Sequence, residues 1–369
     1  MDFSLSDDQR AIQELALSVF SDYCTDEQLC SFADSDESRM MPLWQTCIET
    51  GLHSLLIPDS VGGSGLKMTE LMVVLEAQGK SLAMVPLYRH QLAAAAICNF
   101  GESSLIPLAI TAAEGANVLT IASLNESQLV AKVHGEQLIL SGRVDAVPEA
   151  SASECALLSV NLDGTKRLVI VDLSLSEIER IDGVLTHGES VSDLIFNEVC
   201  INANQLLSEG AYDWLSPRLV AAQSAMMLGL CQQQLKRTVE YVTERRQFER
   251  QIGAFQAVQM ALADCQISLE TLRSTLWQLT YRLDADLPVN AESTSTAWHA
   301  CEAGHFICHK TQHVHGGFGV DISSPTYLFL YWSRALSLAL GGSSDNLERL
   351  GDWLAENNTL GWKYDLEEK

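Results

Sequence analysis

Between positions 245 and 257 the chain reads RRQFERQIGAFQA. The stretch follows one long apolar-periodic segment and leads into another. Two adjacent arginines, Arg245 and Arg246, close the first segment, and a turn with Gly253 and Gln256 opens the second. An arginine guanidinium presents its N–H donors in a planar fork that fits a phosphate. A helix starting close by offers free backbone N–H groups to the same anion. The chemistry within reach is therefore the holding of a phosphate-bearing ligand. The plain alternative is a solvated basic turn.

Two helical regions must position these residues. From Ser216 the chain is helical, with Ser216 as the N-cap and Pro217 at the first helical position. The run from Arg218 to Glu244 carries almost no charge before Lys236, so most of its surface is expected to be buried. Further helices are expected at about 255–283, 291–314, 326–340 and 345–356, punctuated by Gly316-Gly317 and Gly341-Gly342. The first third is also helical. Ser6 and Gln9 form a capping box ahead of a helix to residue 24. Segments 43–51, 69–82 and 88–99 complete an N-terminal bundle. Between the two helical regions lie short β-branched or alternating runs at 118–124, 129–133, 137–140, 156–160, 167–171 and 193–196. His134-Gly135 and Asp163-Gly164 mark hairpin turns between pairs of them.

The sequence has 369 residues, 47% hydrophobic and 19% charged, an ordinary globular balance. Its formal net charge of −25 argues against nucleic acid, whose phosphates need surplus cations. A ligand as anionic as coenzyme A would need the few cations to be placed locally. The ten cysteines are scattered and form no CxxC pair, which suits free thiols in a reducing cytoplasm. No secretory leader and no membrane-spanning run is read from the sequence.

The segment Glu244-Arg245-Arg246-Gln247-Phe248…Gln251-Ile252…Phe255-Gln256-Ala257-Val258 resembles the ERxQFGxPIxxFQAVQ signature of acyl-CoA dehydrogenases. His315-Gly316-Gly317-Phe318-Gly319-Val320 resembles that family's QxHGGxGY turn. Met1 to Gln9 is similar to its DFxLTxxQ pattern, and Ile57-Pro58-Asp59…Gly62-Gly63-Ser64-Gly65-Leu66 to its vPexxGGxGl pattern. Met84-Val85-Pro86 is similar to its apvP turn. The resemblance runs from end to end. It implies an α+β, mostly α fold: an N-terminal helical bundle over 1–116, a small middle β domain over 117–205 and a C-terminal four-helix bundle over 206–369. It implies FAD between the β domain and the C-terminal bundle, completed by a neighbouring subunit. On the motif, Arg245 meets the FAD pyrophosphate, and Phe248, Ile252, Phe255 and Gln256 line the cofactor of the partner chain. His313, Gly316 and Gly317 form the glycine turn, Gly317 letting the backbone come close. Core packing is the alternative for Phe248, Ile252 and Phe255.

The sequence departs from the family pattern in places. His313 replaces the expected glutamine, with Gln312 beside it. Ser123-Leu124-Asn125-Glu126-Ser127 replaces a TEPxxGSD-like motif. Gly142-Arg143-Val144-Asp145-Ala146 aligns with GxKxWIT and has no tryptophan. The family reaction removes the α-proton of an acyl-CoA while the β-hydride passes to flavin, and a positioned carboxylate base contributes roughly 10²–10⁴-fold. Gly341, in Leu340-Gly341-Gly342-Ser343-Ser344, stands where most members have that glutamate. Leu219 stands at the position a minority use. Three other acids come into question. Asp345 reads as an N-cap, Asp213 as a solvated loop acid, and Asp321 as the one weak candidate base.

These departures resemble the base-lacking subunit of α2β2 acyl-CoA dehydrogenases of steroid side-chain degradation. The implied function is FAD-dependent 2,3-dehydrogenation of a bulky acyl-CoA, with a homologous partner supplying the glutamate and an electron-transferring flavoprotein accepting the electrons. The alternatives are a homo-oligomer with an unusual base and a structural or regulatory paralogue that binds no flavin.

Overall fold

The computed structural model describes residues 4–35, 37–124 and 128–357. The readings on Met1–Phe3 and on Asn125, Glu126 and Ser127 lie outside the described residues. The N-terminal region holds α1 (Asp7–Tyr23), α2 (Asp26–Ala33), α3 (Met41–Glu49), α4 (Met68–Ser81), α5 (Leu87–Phe100) and α6 (Ile106–Ala113). The expected capping box is present: the Ser6 hydroxyl accepts from the Gln9 N–H, and the Gln9 side chain accepts from the Ser6 N–H. Helices α2 and α6 are not anticipated by the sequence reading. Each spans only eight residues, too few turns for an apolar period to stand out.

Strands β1 (Leu119–Ile121), β2 (Val130–His134), β3 (Gln137–Pro148), β4 (Cys155–Leu162), β5 (Thr165–Asp172), β6 (Ile178–Val184) and β7 (Ser190–Asn202) form one sheet. Its order is β1-β4-β2-β3-β7-β6, with β5 on β4. The hairpins at His134-Gly135 and Asp163-Gly164 are where the sequence places them. Strand β6, absent from the sequence reading, is exposed at nearly every position. An edge strand of that kind carries no buried alternation to read. Strand β4 is buried on both faces. Leu157 packs into the helical core, while Ala156 and Leu158 pack into a separate core belonging to the sheet.

The C-terminal region holds α7 (Ala211–Glu244), a two-strand ribbon of β8 (Arg246–Gln247) and β9 (Arg250–Gln251), α8 (Gln256–Asp284), α9 (Asn290–His315), α10 (Thr326–Ala339) and α11 (Ser343–Glu356). Helix α7 corrects the expected start. It begins five residues before Ser216, after Gly210 at φ +87°, and runs through Pro217. Burial of Ala211 and Leu215 outweighs the hydrogen bond that proline removes near a helix start. Asp345 is also corrected. Gly342 occupies the N-cap of α11, and Asp345 lies in its first turn. Asp213, read as a loop acid, is exposed in the first turn of α7.

One core runs through both helical regions, from Phe20 and Leu71 to Leu272 and Phe329. At its centre α4 and α7 cross with their backbones in contact. A Cβ on Gly229 would lie 1.9 Å from the Glu76 carbonyl oxygen, and one on Gly79 would lie 2.0 Å from that of Met226. Helices that close need glycine on both sides.

A buried histidine ties the N-terminal helices to the sheet. His90 Nε2 donates to the Ala112 carbonyl, and its Nδ1 accepts from the Leu119 N–H at the start of β1. Burial holds His90 down to about 3, so it is neutral in the folded chain. The unfolded histidine takes a proton below about pH 6.5, so this contribution is full at neutral pH and is lost as pH falls from 6.5 towards 3. His90→Phe is therefore expected to be less stable than wild type at pH 7, with the gap closing by about 2 kcal/mol by pH 5. Urea unfolding of both proteins at the two pH values checks this. A gap independent of pH would mean that His90 is charged in the folded state.

Candidate functional site

The arginine stretch stands on the surface. Helix α7 ends at Glu244, and residues 243–251 are all exposed. Strands β8 and β9 pair Arg246 with Gln251 and Gln247 with Arg250, leaving Phe248-Glu249 as a two-residue turn. Both turn residues have positive φ, +50° and +66°, the geometry of a tight hairpin. Phe248 at the tip is 86% exposed, so core packing within the chain does not explain it. Ile252 and Phe255 are half-buried, and Gln256 is exposed as the first residue of α8. Among the described residues no side chain caps that 29-residue helix, so its first N–H groups face outward with the positive end of the dipole. The Arg250 guanidinium lies 3.9 Å from the Phe255 ring centroid, and Arg246 donates to the Glu249 carbonyl. Arg245, exposed at the end of α7, takes part in neither contact.

The glycine turn packs beside this stretch. Tyr241, one turn before Arg245 on α7, stacks on His315 at 4.4 Å and on Phe318 at 5.8 Å. The Thr238 hydroxyl lies 3.1 Å from His315 Nε2. Burial holds His315 down to about 4. Gly316 and Gly317 are exposed, with nothing within 4 Å of where a Cβ would be. Gln312 Nε2 donates to the Gly319 carbonyl, and its Oε1 is buried without a partner among the described residues. His313 is exposed one residue on. The structure thus gives Gln312, not His313, the hold on the turn.

A cavity of about 280 Å³ lies where α4, α5, the sheet, α7 and α10 meet. One position of the missing base lines it and the other adjoins it. Leu219 lines it, and so does Leu340, the residue before Gly341. Two acids that the sequence reading does not single out, Glu149 and Glu189, line it as well. Glu149 lies 3.0 Å from Arg39 Nε, with both side chains almost fully buried. Burial pushes Glu149 up to about 7, with the nearby Glu189 carboxylate adding to the effect of desolvation and Arg39 opposing it. Glu189 is paired with Arg89 and has His187 Nε2 at 3.6 Å. Burial would raise it, but Arg89 and His187 prevail and hold it down to about 2. Neither acid is marked out by a motif of its own. Asp321 lies elsewhere. It is exposed, and its carboxylate accepts from the Ser323 N–H, which lowers its pKa.

The two places fit FAD differently. The exposed edge offers an arginine fork, an uncapped helix start, an open glycine backbone and an unpartnered Gln312 acceptor, a donor and acceptor set suited to a phosphate-bearing cofactor. The chain's own cavity does not fit it. Its volume falls below the roughly 300–1,000 Å³ of sites that take drug-sized ligands, and two buried ion pairs occupy its polar side. The segment without tryptophan contributes only Asp145 and Ala146 to the wall on that side before Pro148 and Glu149.

Helical bundles thus flank a small sheet, with a cation-and-glycine edge beside α7. The acyl-CoA dehydrogenase N-terminal domain matches residues 6–105, and the C-terminal domain matches residues 220–354. Acyl-CoA dehydrogenase FadE27 of Mycobacterium tuberculosis is 30% identical over 372 residues, spanning 96% of this chain and 99% of that protein. One chain of the ChsE4–ChsE5 complex of Mycobacterium tuberculosis superposes with a TM-score of 0.92 at 30% identity, over 97% of this chain and 100% of that one. A single-residue variant of the steroid acyl-CoA dehydrogenase Tcur3481–Tcur3483 gives 0.91 at 31% identity, over 96% and 99%. The chain belongs to the acyl-CoA dehydrogenase family. It is an oxidoreductase of acyl-CoA thioesters, with FAD as the cofactor. Among the described residues no helix is long and apolar enough to cross a membrane.

Proposed function

We propose that this chain is the base-lacking subunit of a heteromeric FAD-dependent acyl-CoA dehydrogenase that oxidises a bulky, steroid-derived acyl-CoA to its 2,3-enoyl-CoA. The carrying observation is that neither base position holds an acid: Leu219 lines the cavity, and Gly341 follows Leu340, which lines it too. The cavity's own carboxylates are engaged, Glu149 by Arg39, Glu189 by Arg89 and Asp145 by Arg143. When bound, FAD supplies the acceptor for the substrate β-hydride. A homologous partner supplies the glutamate that takes the α-proton. This chain's part is to bind and orient. Arg245 neutralises pyrophosphate charge, Phe248 and Phe255 give the cofactor an apolar edge, and the first turn of α8 with Gln256 offers N–H donors. Gly316 and Gly317 leave room for close approach, and Gln312 fixes their turn. The relatives support both halves of this reading: one is a two-protein complex and another a steroid acyl-CoA dehydrogenase. The units 1–116, 117–205 and 206–369 would act together, and an electron-transferring flavoprotein would reoxidise the flavin.

The visible spectrum tests the reading. The chain purified alone is expected to be colourless, and a flavin band is expected after co-expression with a homologous subunit that has glutamate at the position of Leu219. In that complex Arg245→Ala should cut retained flavin at least tenfold, a loss in the range of a charge-assisted contact at about 1.5–3 kcal/mol. Stoichiometric flavin in the variant would remove Arg245 from the site. Turnover by the chain alone would instead favour an unusual base, and Glu149, raised to about 7 in the cavity, is the residue to replace by glutamine in that event.

A further inference from the structure

The glycine turn begins at His315, the last residue of α9, and Gly316 follows at φ +59° and ψ −138°, a conformation that favours glycine. His315 is 5% exposed. Its ring lies against Tyr241 of α7 and Phe318 of the turn, at interplanar angles of 26° to each. Its Nε2 is 3.1 Å from the hydroxyl of Thr238, a fully buried residue 77 positions earlier. That hydroxyl is also 2.7 Å from the Gln234 carbonyl oxygen, one turn back on α7. The two contacts give one threonine a place between the body of α7 and the start of the turn.

One hydrogen decides what this pair can do. A hydroxyl has a single proton to give. The Gln234 carbonyl can only accept, and two oxygens 2.7 Å apart need a proton between them. The Thr238 proton is therefore committed to that carbonyl, and a lone pair faces His315. Burial, with Arg237 adding to it, holds His315 down to about 4. The ring is neutral at neutral pH and carries one proton only. That proton sits on Nε2, which donates to Thr238 and leaves Nδ1 as an acceptor. The opposite tautomer would fail twice. Nε2 would meet Thr238 lone pair to lone pair, and an Nδ1–H would be buried with no acceptor among the described residues. A buried N–H without a partner is seldom tolerated.

We propose that Thr238 is a positioning residue for the flavin edge: it accepts the His315 Nε2–H, fixes that ring in one tautomer and one place, and so anchors the Gly316-Gly317 turn to α7. Gln312 holds the turn at Gly319, and Thr238 holds it at His315. The exposed glycine backbone between them is fixed at both ends. Thr238 is fully buried and acts only through His315. The inference deepens the proposed function and rests on its reading that this turn meets FAD.

Proton–nitrogen NMR of the purified full-length chain, isotope-labelled at its histidines, reads the tautomer without flavin. The His315 signal is the one missing from His315→Phe. Wild type is expected to show the Nε2–H tautomer alone. Thr238→Ser keeps the hydroxyl and should do the same. Thr238→Val keeps the shape but removes the acceptor, so the minor tautomer should rise about tenfold. In the complex co-expressed with a glutamate-bearing homologous subunit, Thr238→Val should retain flavin about tenfold less well, and Thr238→Ser should retain it as wild type does. A side chain that only filled space would give the opposite order, since valine fills this place better than serine. An Nδ1–H or doubly protonated ring in wild type, or an unchanged tautomer in Thr238→Val, would overturn the inference. Arg245→Ala separates it from the reading beneath it. If Arg245→Ala loses flavin while Thr238→Val keeps it, the flavin edge stands and the positioning role falls. If neither variant loses flavin, the edge reading falls and takes the positioning role with it, even where NMR shows the tautomer locked.

Discussion

Gly229→Ala is expected to lower the stability of the chain by about 4 kcal/mol or more, beyond the 1–3 kcal/mol typical of an overpacked core. The added methyl would sit 1.9 Å from the Glu76 carbonyl oxygen and 3.0 Å from the Lys80 N–H. Both are backbone atoms of a well-packed helix, so no side chain can rotate away. Helix α4 would have to leave α7, and the crossing carries the core shared by both helical regions. A loss of this size takes a large share of a typical 5–15 kcal/mol. Gly351→Ala provides the control. Gly351 lies on the exposed α11 with nothing within 4 Å of its Cβ position, so the same change there should stabilise by up to about 1 kcal/mol. Thermal melting of the two variants beside wild type checks the pair. If both shift in the same direction, the close α4–α7 crossing is wrong.

Arg39→Leu is expected to cost about 3–5 kcal/mol at pH 8, because it leaves the Glu149 carboxylate buried without its partner. The pH dependence follows from the direction of the Glu149 shift. Free glutamate titrates near 4.5, and in the folded chain Glu149 is held up to about 7. The folded state therefore holds this proton more tightly than the unfolded state. The resulting stabilisation is full below about pH 4.5 and is lost as pH rises through 7. Removing Arg39 takes away the largest influence that lowers Glu149, so the raised value rises further and the penalty grows with pH. At pH 5.5 the variant can protonate Glu149, and most of the loss should disappear. Urea midpoints at pH 5.5 and 8 measure this. An equal loss at both pH values would show that Arg39 acts through packing alone, by way of its bond to the Ala152 carbonyl. The double variant Arg39→Leu/Glu149→Leu should recover most of the pH 8 loss, since two apolar groups leave no charge unpaired.

The local structure of the arginine stretch was legible because it is short-range. The stretch Arg245–Ala257 carries its own ends: a helix that stops at Glu244, a two-residue turn and a new helix at Gln256. Spacing within a dozen residues is enough to place an arginine fork near a helix start. Where a local rule met a distant contact, the contact won. Ser216-Pro217 has the chemistry of a helix start, yet α7 begins at Ala211 because Ala211 and Leu215 find buried places. Asp345 has the chemistry of an N-cap, yet Gly342 takes that position.

By itself the sequence determined the alternation of helical and β segments, the arginine-bearing turn between two helices, the glycine turn and the absence of a glutamate at two motif positions. Each is a property of residue type and short-range spacing, which the chain carries before it folds. The tertiary structure alone decided that Leu219 and Leu340 face one cavity. It alone brought Arg39 into an ion pair with Glu149, far along the chain, and placed Gln78 and His187 in the wall of the same space. None of these meetings has a period or a motif. They follow from how helices and sheet pack, and burial then sets the charge state of every acid and base left inside.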